Sequence, residues 1–278
     1  MSSVPEAIRR SYARTVAARA GTDDPRLIEA FATVERERFL GPGPWQVKAG
    51  NGYLTTTTTD PAVVYQDILI ALAPEKNINN GEPSLHAKSL GAAAPRAGDV
   101  ALHAGAGTGY YTAILAHLVG PHGTVHAYEI EPALAAKAAV NLRIYPNVVV
   151  HATSAIDDAL PLANVIYVSA GVTHVPRQWL DALAGGGRLV VPITPNSGLG
   201  FMLLVTKHSS DRYAAEAFST AAFIPCVGAR DSEESRALED ALSRHDIGEI
   251  RSLKRGGAPD QTVWSAGKGW WLSTAPAE

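Results

Sequence analysis

Glycine occupies every second position of Gly105-Ala106-Gly107-Thr108-Gly109, between a short apolar run, Val100-Ala101-Leu102, and a helical pattern over 108–119. No other feature narrows the fold as far. A strand that enters a helix through such a loop opens a β-loop-α unit. The glycines let the main chain turn sharply and let a ligand approach it closely. The segments that follow agree. Strand patterns at 125–128, 148–150, 165–168 and 189–191 alternate with helical patterns at 132–143 and 176–184. Gly120-Pro121-His122-Gly123 and Gly185-Gly186-Gly187 read as turns between them. The strands are apolar throughout and do not alternate, which marks a parallel sheet covered on both faces.

The flanks differ from this core. Residues 5–20 read as a helix opened by Pro5, and Asp24-Pro25 as a cap followed by a first-turn proline. Leu27, Phe31 and Val34 then share one helical face, until Gly41-Pro42-Gly43-Pro44 breaks the helix. Residues 45–83 read as irregular and polar, and the threonine run from Thr55 to Thr59 fits either an exposed strand or a loop. Beyond Gly200, 201–206 and 213–223 read as an antiparallel hairpin. A capped helix over 232–245 and a strand-rich tail bearing Trp264, Trp270 and Trp271 follow. The expected division is 1–83 as an N-terminal helical, substrate-side segment, 84–223 as the α/β core and 224–278 as a C-terminal helix and strand extension.

Composition sets outer bounds. The 278 residues allow one large domain with additions. Charged residues are 18%, below the usual ~25%, which points to a broad buried sheet or a homo-oligomer interface. A net charge of −3 gives no overall field for nucleic acid or an anionic membrane surface. The single cysteine, Cys226, excludes an internal disulfide and a Cys-rich metal framework, and reads as a small buried residue. No apolar run reaches the ~18 residues of a membrane-spanning helix. The N-terminal residues lack the apolar stretch of a secretory signal, so the expected compartment is the cytoplasm.

The spacing of the glycines carries further information. A dinucleotide fingerprint needs Gly or Ala at position 110, where this chain has Tyr110. Gly-x-Gly-x-Gly is instead similar to the loop of class I S-adenosylmethionine-dependent methyltransferases. The next strand ends in Glu129, twenty residues after Gly109, where a carboxylate accepts both ribose hydroxyls of a bound nucleoside.

Longer segments agree with that reading. Glu35–Leu40 (E-R-E-R-F-L) and Pro83–Ala87 (P-S-L-H-A) precede the loop. Val125–Ala135 (V-H-A-Y-E-I-E-P-A-L-A), Val165–Pro176 (V-I-Y-V-S-A-G-V-T-H-V-P) and Gly186–Ile193 (G-G-R-L-V-V-P-I) follow it. In this order they resemble the protein-L-isoaspartate O-methyltransferase family over roughly residues 5 to 195. The resemblance implies an α/β fold: a class I methyltransferase (Rossmann-like) sheet with helices on both faces, an N-terminal helical segment and a C-terminal extension. It implies S-adenosyl-L-methionine as cofactor and methyl transfer to the carboxylate of isoaspartyl residues. The cofactor positions it implies are His103, Gly105, Ala106, Gly107, Thr108, Gly109, Glu129, Ile130, Thr153 and Ser154; no metal is implied.

Departures from the family fall at the acceptor segment and at two cofactor positions. The family carries Thr-Ile-Ser or a close variant where this chain has Asn79-Asn80-Gly81. It has an acid where His103 stands, and Gly-Asp-Gly where this chain has Ala152-Thr153-Ser154. A carboxylate acceptor is already ionised at neutral pH and needs no general base, so the enzyme's work is positioning and exclusion of water. Asn79 and Asn80 offer amide donors for such an acceptor and Ser84 a hydroxyl. A hydroxyl or amine acceptor needs a base, for which His86 and His174 are the candidates. Each has a plainer reading: His86 as a hydrogen-bonded core residue, His174 as a solvated loop residue, and Asn79-Asn80-Gly81 as a turn. The expected function is methylation of a carboxylate on a peptide or small molecule other than the usual isoaspartyl substrate. The acceptor wall is expected from Asn79, Asn80 and Ser84, facing the loop that starts at Ser169. The alternatives are a non-catalytic nucleoside-binding or scaffold protein of the same fold, and a nicotinamide-dependent oxidoreductase, which Tyr110 disfavours.

Overall fold

A computed structural model describes residues 4–157 and 159–277. In chain order its elements are α1 (Glu6–Ala20), α2 (Pro25–Thr33), β1 (Gln46–Ala49), β2 (Gly52–Thr55), β3 (Ala71–Ala73), β4 (Ile78–Asn79) and α3 (Pro83–Ala93). Then come β5 (Val100–Ala104), α4 (Tyr110–Val119), β6 (Thr124–Tyr128), α5 (Pro132–Leu142), β7 (Val148–His151), β8 (Ala163–Val168), α6 (Arg177–Ala182) and β9 (Leu183–Ile193). The chain ends with β10 (Leu199–Ser209), β11 (Arg212–Ala222), α7 (Ser232–Arg244), β12 (Ser252–Arg255), β13 (Val263–Gly267) and β14 (Trp270–Ser273). They form two compact units. One holds the chain up to Asp99 together with Ala106–Thr153, the other Val100–Gly105 together with the chain from Ser154 onward.

In the first unit the helix ends follow local chemistry. Gly21 closes α1 in the left-handed conformation at φ 71°, and Asp24 caps α2 by accepting from the Arg26 N–H with Pro25 in the first turn. α3 is capped from a distance: its Ser84 N–H donates to Asp67 Oδ1 at 2.8 Å. The stretch expected to be irregular contains two small hairpins, β1 with β2 and β3 with β4. Their strands are too short and too polar to show a period. The threonine run divides between the two readings. Thr55 ends β2, whereas Thr56 Oγ1 donates to the Thr58 carbonyl and Thr58 Oγ1 accepts from the Asp60 N–H, so the rest is a hydrogen-bonded loop.

The core of this unit is an aromatic cluster with a cation inside it. Tyr12, Phe31, Tyr65, Tyr110 and Tyr111 meet at ring separations of 5.0 to 6.5 Å. The Arg36 guanidinium lies 5.7 Å from the Tyr12 ring and 5.8 Å from the Tyr110 ring, with no exposed surface. It donates to the carbonyls of Val64, Gln66 and Ile68 and to Asn80 Oδ1, at 2.6 to 2.9 Å. One side chain thereby fixes the path of the chain from 64 to 80. β6 and β7 pair in parallel, from Val125 opposite Val148 to Tyr128 opposite His151.

The strands of the second unit run in the order β5-β8-β9-β10-β11-β12-β14-β13. β5, β8 and β9 are parallel, and the rest join antiparallel. One expectation fails here. Gly185-Gly186-Gly187 is not a turn before a strand, because β9 runs from Leu183 straight through it. Leu183 pairs with Ala163 and Arg188 with Val165, so the glycines form a bulge that absorbs the extra residues. The hairpin β10–β11 and the capped helix α7 stand as expected, with Asp231 accepting from the Glu233 and Glu234 N–H groups. Trp264 is buried edge-on against Phe201 and Trp271 is also buried, whereas Trp270 is half-buried. Cys226 is half-buried, and burial pushes its thiol up to about 11. Among the described residues no helix is long and apolar enough to cross a membrane.

Arg36→Met would leave the carbonyls of Val64, Gln66 and Ile68 and the Asn80 amide without their donor. At roughly 1–3 kcal/mol for each stranded buried acceptor, the expected loss is about 4 kcal/mol or more. That corresponds to a fall in Tm of roughly 8–16 °C, read by calorimetry or thermal scanning. A Tm within 2 °C of the parent, a margin of about 1 kcal/mol or less, would show that the guanidinium does not organise this segment.

Candidate functional site

The glycine loop is tied to the end of β6. Ala106 N–H donates to the Tyr128 carbonyl at 3.1 Å, and Gly107 N–H to Glu129 Oε2 at 2.7 Å. The other oxygen, Oε1, accepts from the Glu131 N–H at 2.9 Å. A carboxylate has about four lone-pair sites, so two remain for hydroxyl donors. Glu129 is 7% exposed; burial raises its pKa, and the backbone N–H groups of Glu131, Gly107 and Ile130 oppose that shift.

The conformation of the loop depends on its glycines. Gly107 and Gly109 sit at φ 58° and 99°, a region L side chains avoid, and a Cβ at Gly109 would meet Leu142 at 2.7 Å. This is why α4 begins at Tyr110 and not at Thr108. Thr108 is buried and works inwards: Oγ1 donates to the Phe39 carbonyl at 2.6 Å, and its own carbonyl accepts from Asn141 Nδ2. Ile130 is half exposed beside Glu129, and Thr153 is half-buried after β7. Glu129 and Ile130 thus present an accepting anion and an exposed apolar side chain beside the loop, a set that fits the ribose hydroxyls and the base of a nucleoside.

The acceptor-side candidates lie on β4, the turn after it and the first turns of α3. Asn79 is half-buried; its Oδ1 accepts from the Gly81 N–H at 2.9 Å, and its Nδ2 lies 3.4 Å from the Tyr53 hydroxyl. Asn80 is buried, with Oδ1 held by Arg36 and Nδ2 sealed from solvent without a partner. Ser84 is half-buried with its backbone N–H on Asp67. His86 is buried and stacks on Tyr111 with ring centroids 3.6 Å apart. It presses on Gly81, where a Cβ would come within 2.0 Å of Nε2. The geometry thus gives His86 a packing contact and the asparagine pair a turn-building one.

In the second unit, His103 on β5 is 1% exposed, and burial pulls its pKa down to about 3. It is a neutral imidazole whose Nε2 lies 3.0 Å from Ser169 Oγ. Where the family resemblance places an acid, this chain offers no charge. A Cβ on Gly105 would stand 3.4 Å from the Ser169 backbone, and Ser154 is buried with Oγ accepting from the Ile156 N–H. His174 is not the lone solvated histidine the sequence suggested: its Nδ1 lies 2.6 Å from Glu234 Oε2 on α7. Sequence reading missed Arg36, Asp67 and Glu234. Arg36 had a faint signal, an arginine between two glutamates in a segment that matched the family, whereas Asp67 and Glu234 had none. Among the described residues no group of three or more His, Cys, Asp and Glu is arranged to hold a metal ion.

The chain matches the family described as Protein-L-isoaspartate(D-aspartate) O-methyltransferase (PCMT) over residues 16–231. It is 30% identical over 210 residues to Protein-L-isoaspartate O-methyltransferase 2 of Anaeromyxobacter sp. (strain Fw109-5), covering 74% of this chain and 77% of that one. It is 28% identical over 224 residues to the Protein-L-isoaspartate O-methyltransferase of Ignicoccus hospitalis, covering 79% and 97%. Among solved structures, a protein-L-isoaspartate O-methyltransferase superposes with a TM-score of 0.66 at 23% identity, over 91% of this chain and 74% of that one. A putative protein-L-isoaspartate O-methyltransferase from Plasmodium falciparum, solved with S-adenosyl-L-homocysteine, gives 0.62 at 18% identity, over 78% and 97%. These likenesses establish the α/β class I methyltransferase fold.

Glu129→Ala is expected to weaken S-adenosylhomocysteine binding about tenfold or more, since hydrogen bonds to a charged group contribute roughly 1.5–3 kcal/mol. Burial raises the Glu129 pKa, so affinity should decline with falling pH sooner than an ordinary glutamate would allow, and Glu129→Gln should flatten that decline. Isothermal calorimetry across pH reads both. Parent-like affinity in the alanine variant would remove Glu129 from the ribose site.

Proposed function

Because the chain belongs to the protein-L-isoaspartate(D-aspartate) O-methyltransferase family, we propose that it methylates a carboxylate on a peptide or small molecule other than the usual isoaspartyl residue, in the cytoplasm. It is an S-adenosylmethionine-dependent methyltransferase of that family; the acceptor is what the proposal adds. The cofactor supplies an electrophilic methyl group on a positive sulfonium. The chain's own groups bind and orient. Glu129 and loop residues 106–109 would take the ribose and the adjoining chain of the nucleoside, and Ile130 would lie against the base. An ionised carboxylate acceptor brings its own electron pair, so no side chain has to remove a proton, and the packed state of His86 is no obstacle.

The observation that carries the proposal is the commitment of the 79–81 segment. Where the family resemblance places Thr-Ile-Ser, this chain has two amides and a glycine, and both amide oxygens are already used, Asn79 Oδ1 by Gly81 and Asn80 Oδ1 by Arg36. Arginine has only donors, so it fixes which way the Asn80 amide points. Asn80 Nδ2 is out of solvent's reach, which makes Asn80 a positioning residue. Asn79 and Ser84, both half-buried, are the groups left to meet an acceptor.

In a methyl-release assay run beside a repair enzyme of the family, an isoaspartyl peptide is expected to turn over at least about 100-fold more slowly, a difference of about 2.7 kcal/mol in barrier. Comparable turnover would show that residues 79–81 do not define the acceptor. With the cognate acceptor, Asn79→Ala should reduce methyl transfer while leaving S-adenosylhomocysteine affinity unchanged. Asn80→Ala should lower Tm, because it strands one guanidinium N–H.

A further inference from the structure

Asn-Gly occurs twice in the chain, at Asn51-Gly52 and at Asn80-Gly81. This pair has a chemistry of its own. Glycine has no Cβ to shield its nitrogen or restrict its backbone, so that nitrogen can reach the carboxamide carbon of the asparagine before it. Attack forms a C–N bond, closes a five-membered succinimide and expels the side-chain nitrogen as ammonia. Water then opens one of the two C–N bonds of the ring and leaves aspartate or isoaspartate. One water enters, one ammonia leaves, and nothing is oxidised or reduced. By sequence the two sites are equivalent; the fold makes them different.

Asn80-Gly81 is held away from this path. Asn80 is 7% exposed, its N–H donates to the Ile70 carbonyl at 2.8 Å, and its Oδ1 accepts from the buried Arg36 Nη2 at 2.9 Å. The attacking nitrogen is occupied as well: the Gly81 N–H donates to Asn79 Oδ1 at 2.9 Å, and His86 packs against Gly81. Ring closure there would break hydrogen bonds that no water replaces.

Asn51-Gly52 stands at the tip of the β1–β2 hairpin. Gly50 and Asn51 form a two-residue turn between the paired Ala49 and Gly52. Asn51 and Gly52 are both exposed, and among the described residues no group hydrogen-bonds the Asn51 carboxamide. The hairpin has four residue pairs and strands that are at most half-buried, so opening its tip costs little.

A change in this turn reaches further along the hairpin. Tyr53 pairs with Lys48 next to the turn, and its hydroxyl lies 3.4 Å from Asn79 Nδ2 and 3.5 Å from Asn77 Oδ1. Isoaspartate routes the main chain through the former side chain and lengthens it by one methylene. A two-residue turn cannot absorb that length and keep both the Ala49–Gly52 and the Lys48–Tyr53 pairs in register.

We propose that Asn51 is a site of spontaneous deamidation in the folded protein, with water as the reagent, and that its isoaspartyl product unpairs the β1–β2 hairpin whose Tyr53 meets Asn79. The modification belongs to the chain itself and is independent of which acceptor it methylates.

The test ages the full chain at mildly alkaline pH and follows Asn51 and Asn80 in one digest by mass spectrometry, with synthetic aspartyl and isoaspartyl peptides as chromatographic standards. In the folded chain Asn51 should lose ammonia at least about 30-fold faster than Asn80. In urea the two rates should agree to within about threefold, because the hydrogen bonds that protect Asn80 are gone. Gly52→Ala suits the fold, since a Cβ there has no atom within 4 Å and the residue is outside the left-handed region. It should slow the loss from Asn51 about tenfold or more with Tm unchanged. Amide exchange at Lys48 and Tyr53 should quicken in the isolated isoaspartyl chain and keep its parent rate in Asn51→Asp, which adds the charge without the methylene. Equal rates at Asn51 and Asn80 in the folded chain, or parent-like loss in Gly52→Ala, would overturn the site. Unchanged exchange in the isoaspartyl chain would overturn its effect on the hairpin.

Discussion

A single buried cation organises the N-terminal half of this protein. Arg36 has no exposed surface, yet its charge is met by three carbonyls, one amide oxygen and the faces of two tyrosines. Desolvating a guanidinium is costly, and here both Nη1 and Nη2 are answered twice, while Nε is left without a partner. The carbonyls it gathers belong to Val64, Gln66 and Ile68, in a stretch with little regular structure of its own. What a longer helix or strand would do through its own ladder, one side chain does here. The consequence reaches the 79–81 turn, because the fourth oxygen is that of Asn80. Its amide is held in one orientation, and the turn that follows is fixed by Asn79, Gly81 and His86 packed on Tyr111.

The cofactor side shows a different economy of charge. Glu129 carries the anion of the glycine loop and is itself held by two backbone N–H groups, so its position is set before any ligand arrives. His103, where an acid is expected from the family, is kept neutral by burial and contributes polarity without charge. The departures from the family are thus not uniform. The glycines from Gly105 to Gly109 and the carboxylate of Glu129 stand as the resemblance implies, whereas the changes at His103 and at 79–81 alter the charge and hydrogen bonding around them.

The C-terminal segment adds chemistry as well as mass. Arg230 fastens it to the chain after β8, Asp231 caps α7, and the first turn of that helix delivers Glu234 to His174. Of the three tail tryptophans, Trp264 and Trp271 belong to the core, and Trp270 is half-buried with its N–H on Glu234.

Much of the fold was legible because it depends on neighbours in the chain. The glycine loop, the Asp24-Pro25 and Asp231 caps, the proline at the start of α5 and the β10–β11 hairpin are local signals, and each appears where the sequence put it. The loop and Glu129, with the segments around them, sufficed to indicate a class I methyltransferase. What the sequence could not contain was any relation between distant residues whose types are individually ordinary. Arg36 and Asn80 are 44 positions apart, and no local pattern says that one will hold the other. The same holds for the carboxylate that His174 meets, for the stack that gives His86 a packing role, and for the glycine run that became a bulge because β8 offered it a partner. Sequence determined the elements and the cofactor loop, since turn geometry and apolar periodicity are properties of short stretches. Tertiary structure decided which polar groups are spent on the fold and which stay available for chemistry, because burial and pairing exist only once distant segments have met.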